Sequence, residues 1–160
     1  MATTAAPDFP FLAELTALRR DIHAHPELAF AENRTAAIVA RELARYGLEV
    51  HRGIARTGVV GVLRAGSSPR MIGLRADMDA LPVAELNEFP HHSKHPGKMH
   101  ACGHDGHTAI LLGAARQLAA DPGFDGTAVF IFQPAEESEG GAAVMIEDGL
   151  FERFPVEAVF

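Results

Sequence analysis

The sequence has a single cysteine, few basic residues and no long apolar run, and each of these shortages excludes a class of protein. One cysteine excludes a disulfide within the chain and fits a reducing compartment. No apolar run approaches the roughly 18 residues of a membrane-spanning helix. With 14 basic against 21 acidic residues the net charge is −7, which disfavours nucleic acid and anionic membranes as partners.

What the sequence does have is the composition of a soluble globular domain. Apolar residues make up 48% of the 160 positions and charged residues 22%, enough to build one domain with a core. The N-terminal stretch MATTAAPDFPFL lacks the positive and apolar segments of a secretory signal. We therefore expect a cytoplasmic protein.

Hydrophobic periodicity predicts helices that alternate with strands. The predicted elements, in chain order, are helices over 10–25 and 31–46, strands in LEVHRGI, GVVGVLRAG and RMIGLRADM, a polar connection over 79–106, a buried helix in HTAILLGAARQLAADPG, a doubly buried strand in GTAVFIF, a short helix near 141–148 and the beginning of a strand in VEAVF. This order favours an α/β layered domain with a mainly parallel sheet flanked by helices. Because the chain ends inside the last predicted strand, we expect a fold that is incomplete at the C-terminus.

The motif with the densest chemistry is KMHACGHDGH, residues 98–107, which holds the single cysteine. Cys102 and His104 are two residues apart on a glycine-bearing loop, so a thiolate and an imidazole can turn toward one metal ion. A small buried thiol among surface histidines is the alternative, since free cysteine is usually buried. The density of potential ligands favours metal binding, with His100 and His107 as weaker candidates.

Acidic pairs follow two of the predicted strands, at the end where open α/β sheets bind ligands. Glu136 and Glu137 follow GTAVFIF, and one of two such acids can ligate a metal while the other holds a water as general base. Asp77 and Asp79 lie at the end of RMIGLRADM and could ligate a hard metal or orient a ligating histidine. A solvated acidic loop and turn-forming aspartates remain open alternatives.

The remaining histidines have local explanations. His23 and His25 lie at the end of the first predicted helix, where the helix dipole favours a positive imidazole, and we do not expect them to be ligands. Four further histidines are expected to be solvated or loop residues: His51, His91, His92 and His95.

Five motifs occur along the chain in a fixed order: RRDIHAHPELAFAE, TGVVGVL, GLRADMDALPVAE, SKHPGKMHACGHDGHTAILLGAA and FQPAEESEGGA. In this order and spacing they resemble the aminoacylase-type family of dinuclear metal amidohydrolases and peptidases, which includes hippurate hydrolases, N-acyl-amino-acid amidohydrolases and indoleacetyl-amino-acid hydrolases. The resemblance covers essentially the whole chain. The closing MIEDGLFERFP is similar to bacterial hippurate hydrolases in particular.

The resemblance implies a zinc-peptidase-like catalytic domain that hydrolyses the amide bond of N-acyl amino acids, hippurate-type substrates among them. It implies two divalent ions (Zn, Mn, Co or Ni), a small-molecule substrate and a homo-oligomeric complete protein. An inserted dimerisation or lid domain and a C-terminal part with two further histidine ligands are expected outside this chain. Residues 1–160 would then be the N-terminal part of the catalytic domain.

The resemblance also assigns roles to individual residues. Those that map onto the family's metal ligands are Cys102, His104 and Glu137. Glu136 maps onto the general base. The acids that could hold the ligands in place are Asp77, Asp79 and Asp105.

Two other functions remain open from the sequence. Cys102 could be the nucleophile of a cysteine hydrolase with His104 or His107 as its base, although such a base usually lies far along the chain. The chain could also be a truncated, inactive metal-binding fragment, because three ligands are too few to close two metal sites.

Overall fold

A computed structural model describes residues 10–160 of the chain. Its helices are α1 (Leu12–Ala24), α2 (Asn33–Arg45), α3 (His104–Ala120), α4 (Gly141–Glu147) and α5 (Leu150–Arg153), and its strands are β1 (Glu49–Ile54), β2 (Gly58–Ala65), β3 (Met71–Asp77) and β4 (Gly126–Gln133). Residues 1–9, which carry most of the stretch considered above for a secretory signal, lie outside the described part. Within that part no helix has the length and apolar character needed to cross a membrane.

The four strands form one mixed sheet in the order β1–β2–β4–β3. The β1–β2 and β2–β4 pairs are antiparallel, and β3 and β4 are parallel. The α/β architecture is confirmed, but the expectation of a mainly parallel sheet is wrong for these strands. The reason lies in the connections: β1 and β2 form a hairpin, whereas β3 and β4 are joined through α3, the kind of crossover that a parallel pair needs.

Helices cover both faces of the sheet. α2 and α3 pack on one face, with α1 outside them against α3, and α4 and α5 pack on the other. β4 is buried along its whole length, as its continuous apolar run predicts. Its side chains point alternately into two hydrophobic cores, one on each face of the sheet. Phe130 and Phe132 pack in the core on the α2–α3 side, and Val129 and Ile131 pack in the core on the α4–α5 side.

The C-terminal segment differs from its prediction. In place of a strand in VEAVF there is an isolated parallel bridge between Gly73 and Val159. Backbone hydrogen bonds still align this segment with the outer edge of β3, from the Gly73 N–H to the Ala158 carbonyl and from the Phe160 N–H to the Gly73 carbonyl. α5 escaped prediction because four residues are too few to show a helical period.

The β3–α3–β4 unit creates one functional edge of the molecule. Asp77 lies opposite Gln133 in the parallel pair, so both strands end together. Because α3 returns the chain to the start of β4 at the far edge, α3 begins near the end of β3. This edge therefore collects the residues after β3, the residues after β4 and the start of α3, the position at which α/β sheets bind ligands.

The long connection between β3 and α3 is anchored rather than loose. Leu81 and Met99 exchange backbone hydrogen bonds of 3.0 Å in both directions, and the Lys94 N–H donates to the Ala24 carbonyl at 2.8 Å. These bonds hold the loop against itself and against the end of α1. They fix the course of the chain up to the thiol motif.

Candidate metal centre

Three side chains from different parts of the chain converge at the functional edge. Cys102 ends the long loop, His104 is the first residue of α3, and Glu137 follows β4. Their ligand atoms lie within 4.8 Å of one another. Gly103, the N-cap of α3, has φ +90°, a left-handed conformation that glycine adopts without strain. The structure thus brings together the three residues that the resemblance implies as metal ligands.

His104 is the buried centre of this cluster, with 3% of its side chain exposed. Its Nδ1 lies 2.9 Å from the Asp79 carbonyl oxygen and 3.2 Å from Asp79 Oδ1, so the Nδ1–H donates to Asp79. Nε2 is left free to act as a ligand atom. It faces three carboxylates, at 3.5 Å from Asp77 Oδ1, 3.6 Å from Glu137 Oε1 and 3.8 Å from Glu136 Oε2.

His104 and Asp79 shift each other's pKa toward the charged form. Burial acts to lower the pKa of His104, but the hydrogen bond to Asp79 and the nearby carboxylates outweigh it and raise the pKa. Burial acts to raise the pKa of Asp79, but hydrogen bonds from His104 and from the backbone N–H groups of Glu137 and Glu136 outweigh it and lower the pKa. The negative charge that collects around one imidazole suits a bound cation.

Two buried carboxylates hold the backbone of the acidic pair. Glu32 Oε1 accepts from the Ala135 N–H at 2.9 Å, and Asp79 Oδ2 accepts from the Glu137 N–H at 3.0 Å. Ala135 is itself fully buried and has φ +54°, an unusual value for a residue with a Cβ. The side chain of Glu137 is 17% exposed and that of Glu136 is 42% exposed, so Glu137 lines the cluster while Glu136 stands at its mouth.

The donors fit a divalent ion. A thiol, an imidazole and a carboxylate supply the sulfur, nitrogen and oxygen ligands of zinc sites. Glu137 Oε1 is buried and has no hydrogen-bond partner among residues 10–160, so it is an acceptor open to a cation. The adjacent carboxylate of Glu137 raises the pKa of the Cys102 thiol.

A second group of potential ligands at the same edge is Asp77, His104 and His107. His107 Nδ1 lies 2.7 Å from Asp77 Oδ1, which is a hydrogen-bond distance. Asp77 Oδ2 pairs with Arg75 at 2.8 Å. Both carboxylate oxygens of Asp77 therefore already have partners, and these contacts stabilise this edge of the molecule.

Asp105, which the resemblance implies as a residue that could hold the ligands in place, directly follows His104 and contacts α1. Its fully buried carboxylate accepts from Arg19 Nε at 3.0 Å and lies 2.9 Å from His23 Nδ1. His23 Nε2 lies 3.1 Å from Glu85 Oε1. The dipole explanation of His23 misses these contacts because the partners lie 82 and 62 positions away, where no local pattern signals them.

The other histidines are divided between interior and surface. His100 is buried, neither of its ring nitrogens has a hydrogen-bond partner within residues 10–160, and burial lowers its pKa to about 4. His51 Nε2 pairs with Glu49 at 3.0 Å, and His92 Nδ1 donates to the carbonyl of Phe89 in the exposed loop at 2.8 Å. None of these three is in either group of potential ligands found among the described residues.

Comparison with known proteins finds a matching family of peptidases and several similar hydrolases. Residues 73–160 match Peptidase family M20/M25/M40. Hippurate hydrolase of Campylobacter jejuni is 54% identical over 147 residues, which cover 92% of this chain and 38% of that protein. N-acyl-L-amino acid amidohydrolase of Geobacillus stearothermophilus is 47% identical over 144 residues, which cover 87% of this chain and 38% of that protein.

A solved structure from the M20 family is also similar to this chain. The YXEP protein of Bacillus subtilis, described as a dinuclear metal binding peptidase from the M20 family, superposes with a TM-score of 0.89 at 41% identity. The superposition covers 96% of this chain and 43% of that one. The chain thus spans less than half the length of each of these relatives.

Proposed function

Because the chain belongs to peptidase family M20/M25/M40, we propose that it is part of a metal-dependent hydrolase of the amide bond in N-acyl amino acids. The observation that carries the proposal is the convergence of Cys102, His104 and Glu137 beside Glu136 at the functional edge. Hippurate-type substrates are the proposed class, supported by the 54% identity to a hippurate hydrolase. The products would be a carboxylic acid and an amino acid.

The proposed metal ligands are Cys102 Sγ, His104 Nε2 and a carboxylate oxygen of Glu137. A divalent ion held there (Zn, Mn, Co or Ni) supplies a Lewis acid and a water of lowered pKa. Two ions are proposed for the complete enzyme, supported by the solved relative described as dinuclear. Asp79 would keep the imidazole in the tautomer with Nε2 free, since it accepts the Nδ1 proton.

Glu136 is the proposed general base. Its partly exposed carboxylate lies at the mouth of the cluster, with Oε2 3.8 Å from His104 Nε2, where substrate and water have access. It would take one proton from the attacking water while the oxygen bonds to the amide carbon. It would then give that proton to the amine nitrogen as the C–N bond breaks, so that proton and electron pair both balance.

The proposal also covers the larger protein to which this chain would belong. Residues 1–160 would be the N-terminal part of the catalytic domain of a cytoplasmic homo-oligomer. An inserted lid domain and further ligands would be supplied by additional sequence, consistent with relatives more than twice as long.

The proposal is tested by replacing the base in the complete enzyme. Glu136→Gln is expected to abolish hippurate hydrolysis and to leave the amount of bound metal unchanged, because the amide cannot accept a proton but occupies the same space. Glu139→Gln, in the same acidic segment and exposed, is the matched control and should retain activity. Full turnover by the Glu136→Gln enzyme would reject the base assignment.

A chelator separates the metal hydrolase from the two alternatives. The enzyme should lose hippurate hydrolysis when the metal is removed and regain it when Zn2+ or Co2+ is added, which a thiol-dependent enzyme would not do. An inactive fragment would show itself in the 160-residue chain, which would then bind metal without any turnover.

A further inference from the structure

Glu32 is a completely buried carboxyl group, far in sequence from the candidate ligands. Its two oxygens have separate partners: Oε2 accepts from the Thr57 hydroxyl at 2.6 Å, and Oε1 accepts from the Ala135 N–H at 2.9 Å. Burial raises the pKa of Glu32, with the Thr57 hydrogen bond opposing it. A carboxyl group is costly to bury, so its place in the core calls for a function beyond packing.

The partner of Glu32 is the point at which β4 turns into the acidic pair. A left-handed φ of +54° strains the backbone at Ala135, because its Cβ crowds the following carbonyl. The Ala135 carbonyl accepts from the Gly141 N–H at 2.9 Å, which closes the loop that bears Glu136 and Glu137. A peptide that is strained, buried and two residues from a candidate ligand needs an external anchor.

We infer that Glu32 is a positioning residue for the metal centre, which fixes the left-handed turn at Ala135 and thereby directs Glu137 toward His104. The inference rests on the proposed function, because it takes Glu137 to be a metal ligand. Without an acceptor, the Ala135 N–H is a buried unpaired donor, and the turn relaxes toward negative φ. That rotation carries the Glu137 carboxylate away from His104 Nε2.

The inference requires a hydrogen-bond acceptor at position 32 and not a negative charge. Gln offers its carbonyl oxygen to Ala135 and its amide group to the Thr57 oxygen, so Glu32→Gln should preserve the turn. Met has a similar length and no comparable acceptor, so Glu32→Met should release it. Glu42→Met is the matched control, since Glu42 is also a buried glutamate but lies within α2 and pairs with Arg41 and Arg45.

The test is a double-substitution cycle on the 160-residue chain, with Co2+ alone as the probe and thiolate–cobalt absorption as the signal. Glu32→Met is expected to weaken Co2+ binding by about 10-fold or more, the size of effect seen when a group that orients a ligand is removed. Glu137→Gln should weaken binding in the unsubstituted chain. In the Glu32→Met chain it should change affinity by no more than about twofold, because the ligand is already lost. Glu32→Gln and Glu42→Met should bind Co2+ as the unsubstituted chain does.

Additive effects of Glu32→Met and Glu137→Gln would overturn the inference, since a purely structural contribution of Glu32 adds to that of the ligand. If circular dichroism shows that Glu32→Met does not fold, Ala135→Gly is introduced beside it. Glycine adopts the left-handed turn without strain, so folding and part of the Glu137 effect should return. Failure to recover them would also overturn the inference. A chain that binds no Co2+ at all would overturn this inference, whereas the proposed function is rejected only by the chelator and Glu136→Gln tests on the complete enzyme.

Discussion

At the scale of single residues, the imidazole of His23 joins distant parts of the chain. It is buried between Asp105 at the start of α3 and Glu85 in the long loop. Glu85, with 2% of its side chain exposed, also accepts from the Ser93 N–H at 2.6 Å and from Asn87 Nδ2 at 3.0 Å. Burial acts to raise the pKa of Glu85, but these hydrogen bonds outweigh it and lower the pKa to about 2. The loop therefore depends on an ionised carboxylate.

Replacing Glu85 with an uncharged residue should make the free energy of unfolding less dependent on pH in the acidic range. Because the folded-state pKa of Glu85 lies below its ordinary value of 4.5, its stabilising effect is complete above pH 4.5 and is lost as the pH falls toward 2. Glu85→Gln is expected to lower the free energy of unfolding by about 2 kcal/mol at pH 7 and by less at pH 3. Urea unfolding at the two pH values measures both effects.

The exposed neighbour Glu88 provides the control, and Glu88→Gln should leave the unfolding curve nearly unchanged at either pH. A loss for Glu85→Gln that is equal at pH 7 and pH 3 would show that ionisation of Glu85 does not stabilise the loop.

The residue scale also shows where prediction from sequence succeeds and where it stops. Cys102 and His104 were predicted to lie together because they share one short motif, and the end of a buried strand pointed to Glu137. The contacts of Glu32 were not predicted, because Thr57 and Ala135 lie 25 and 103 positions away. An isolated glutamate in a sequence gives no sign that it is buried or what it binds.

At the scale of elements, the start of α4 is packed against the turn that bears the acidic pair. A Cβ on Gly141 would clash with the backbone carbonyl oxygen of Pro134. A Cβ on Gly113, within α3, would lie 2.6 Å from the end of the Leu15 side chain. The two positions differ physically, because a side-chain end can rotate away and a backbone oxygen can move only with its turn.

Alanine at these two glycines should therefore have unequal effects. Gly141→Ala is expected to destabilise the fold by about 2 kcal/mol and to weaken Co2+ binding, because α4 and the turn must separate. Gly113→Ala should cost less, since the higher helix propensity of alanine, about 1 kcal/mol, offsets the displacement of Leu15. Chemical unfolding and Co2+ titration measure the difference, and an equal or reversed order would contradict this account of the packing.

Elements were predicted unevenly, for reasons visible in their residues. β4 was predicted well because it is a continuous apolar run between Gly126 and Pro134. The β1–β2 hairpin was not recognised, since its turn places Ala55 and Arg56 at positive φ where turn rules look for glycine or asparagine. Strands can be found from apolar patterns, but which strands pair depends on contacts that the pattern does not contain. The sheet was therefore expected to be mainly parallel and proved to be mixed.

At the scale of the whole molecule, the candidate centre ties together the loop, α3 and the segment after β4. A metal ion that binds this cluster binds only the folded chain, so it should stabilise the fold by mass action. Co2+ at about 100 times its Kd is expected to raise the free energy of unfolding by about 2.7 kcal/mol. Thermal or urea unfolding with and without Co2+ measures the shift.

A chelator should reverse the stabilisation by Co2+ fully. Cys102→Ser should abolish most of it, because the exposed thiol can be replaced with little effect on packing but not as a soft ligand. If Co2+ shifted the unfolding of the Cys102→Ser chain as strongly as that of the unsubstituted chain, the ion would be bound elsewhere.

The strand order β1–β2–β4–β3 also governs how a chain growing on the ribosome acquires this fold. β2 and β3 are made early, but they are joined only through β4, which is synthesised some fifty residues after β3 ends. Until residue 133 has emerged, the nascent chain has a hairpin, helices and an unpartnered β3, so its apolar faces stay open to chaperones. When β4 enters the sheet, the sheet is complete. Glu137, which follows β4 closely in the chain, then comes to lie near Cys102 and His104. If these three residues are the metal ligands, as proposed, all three can bind one ion only after β4 has entered the sheet.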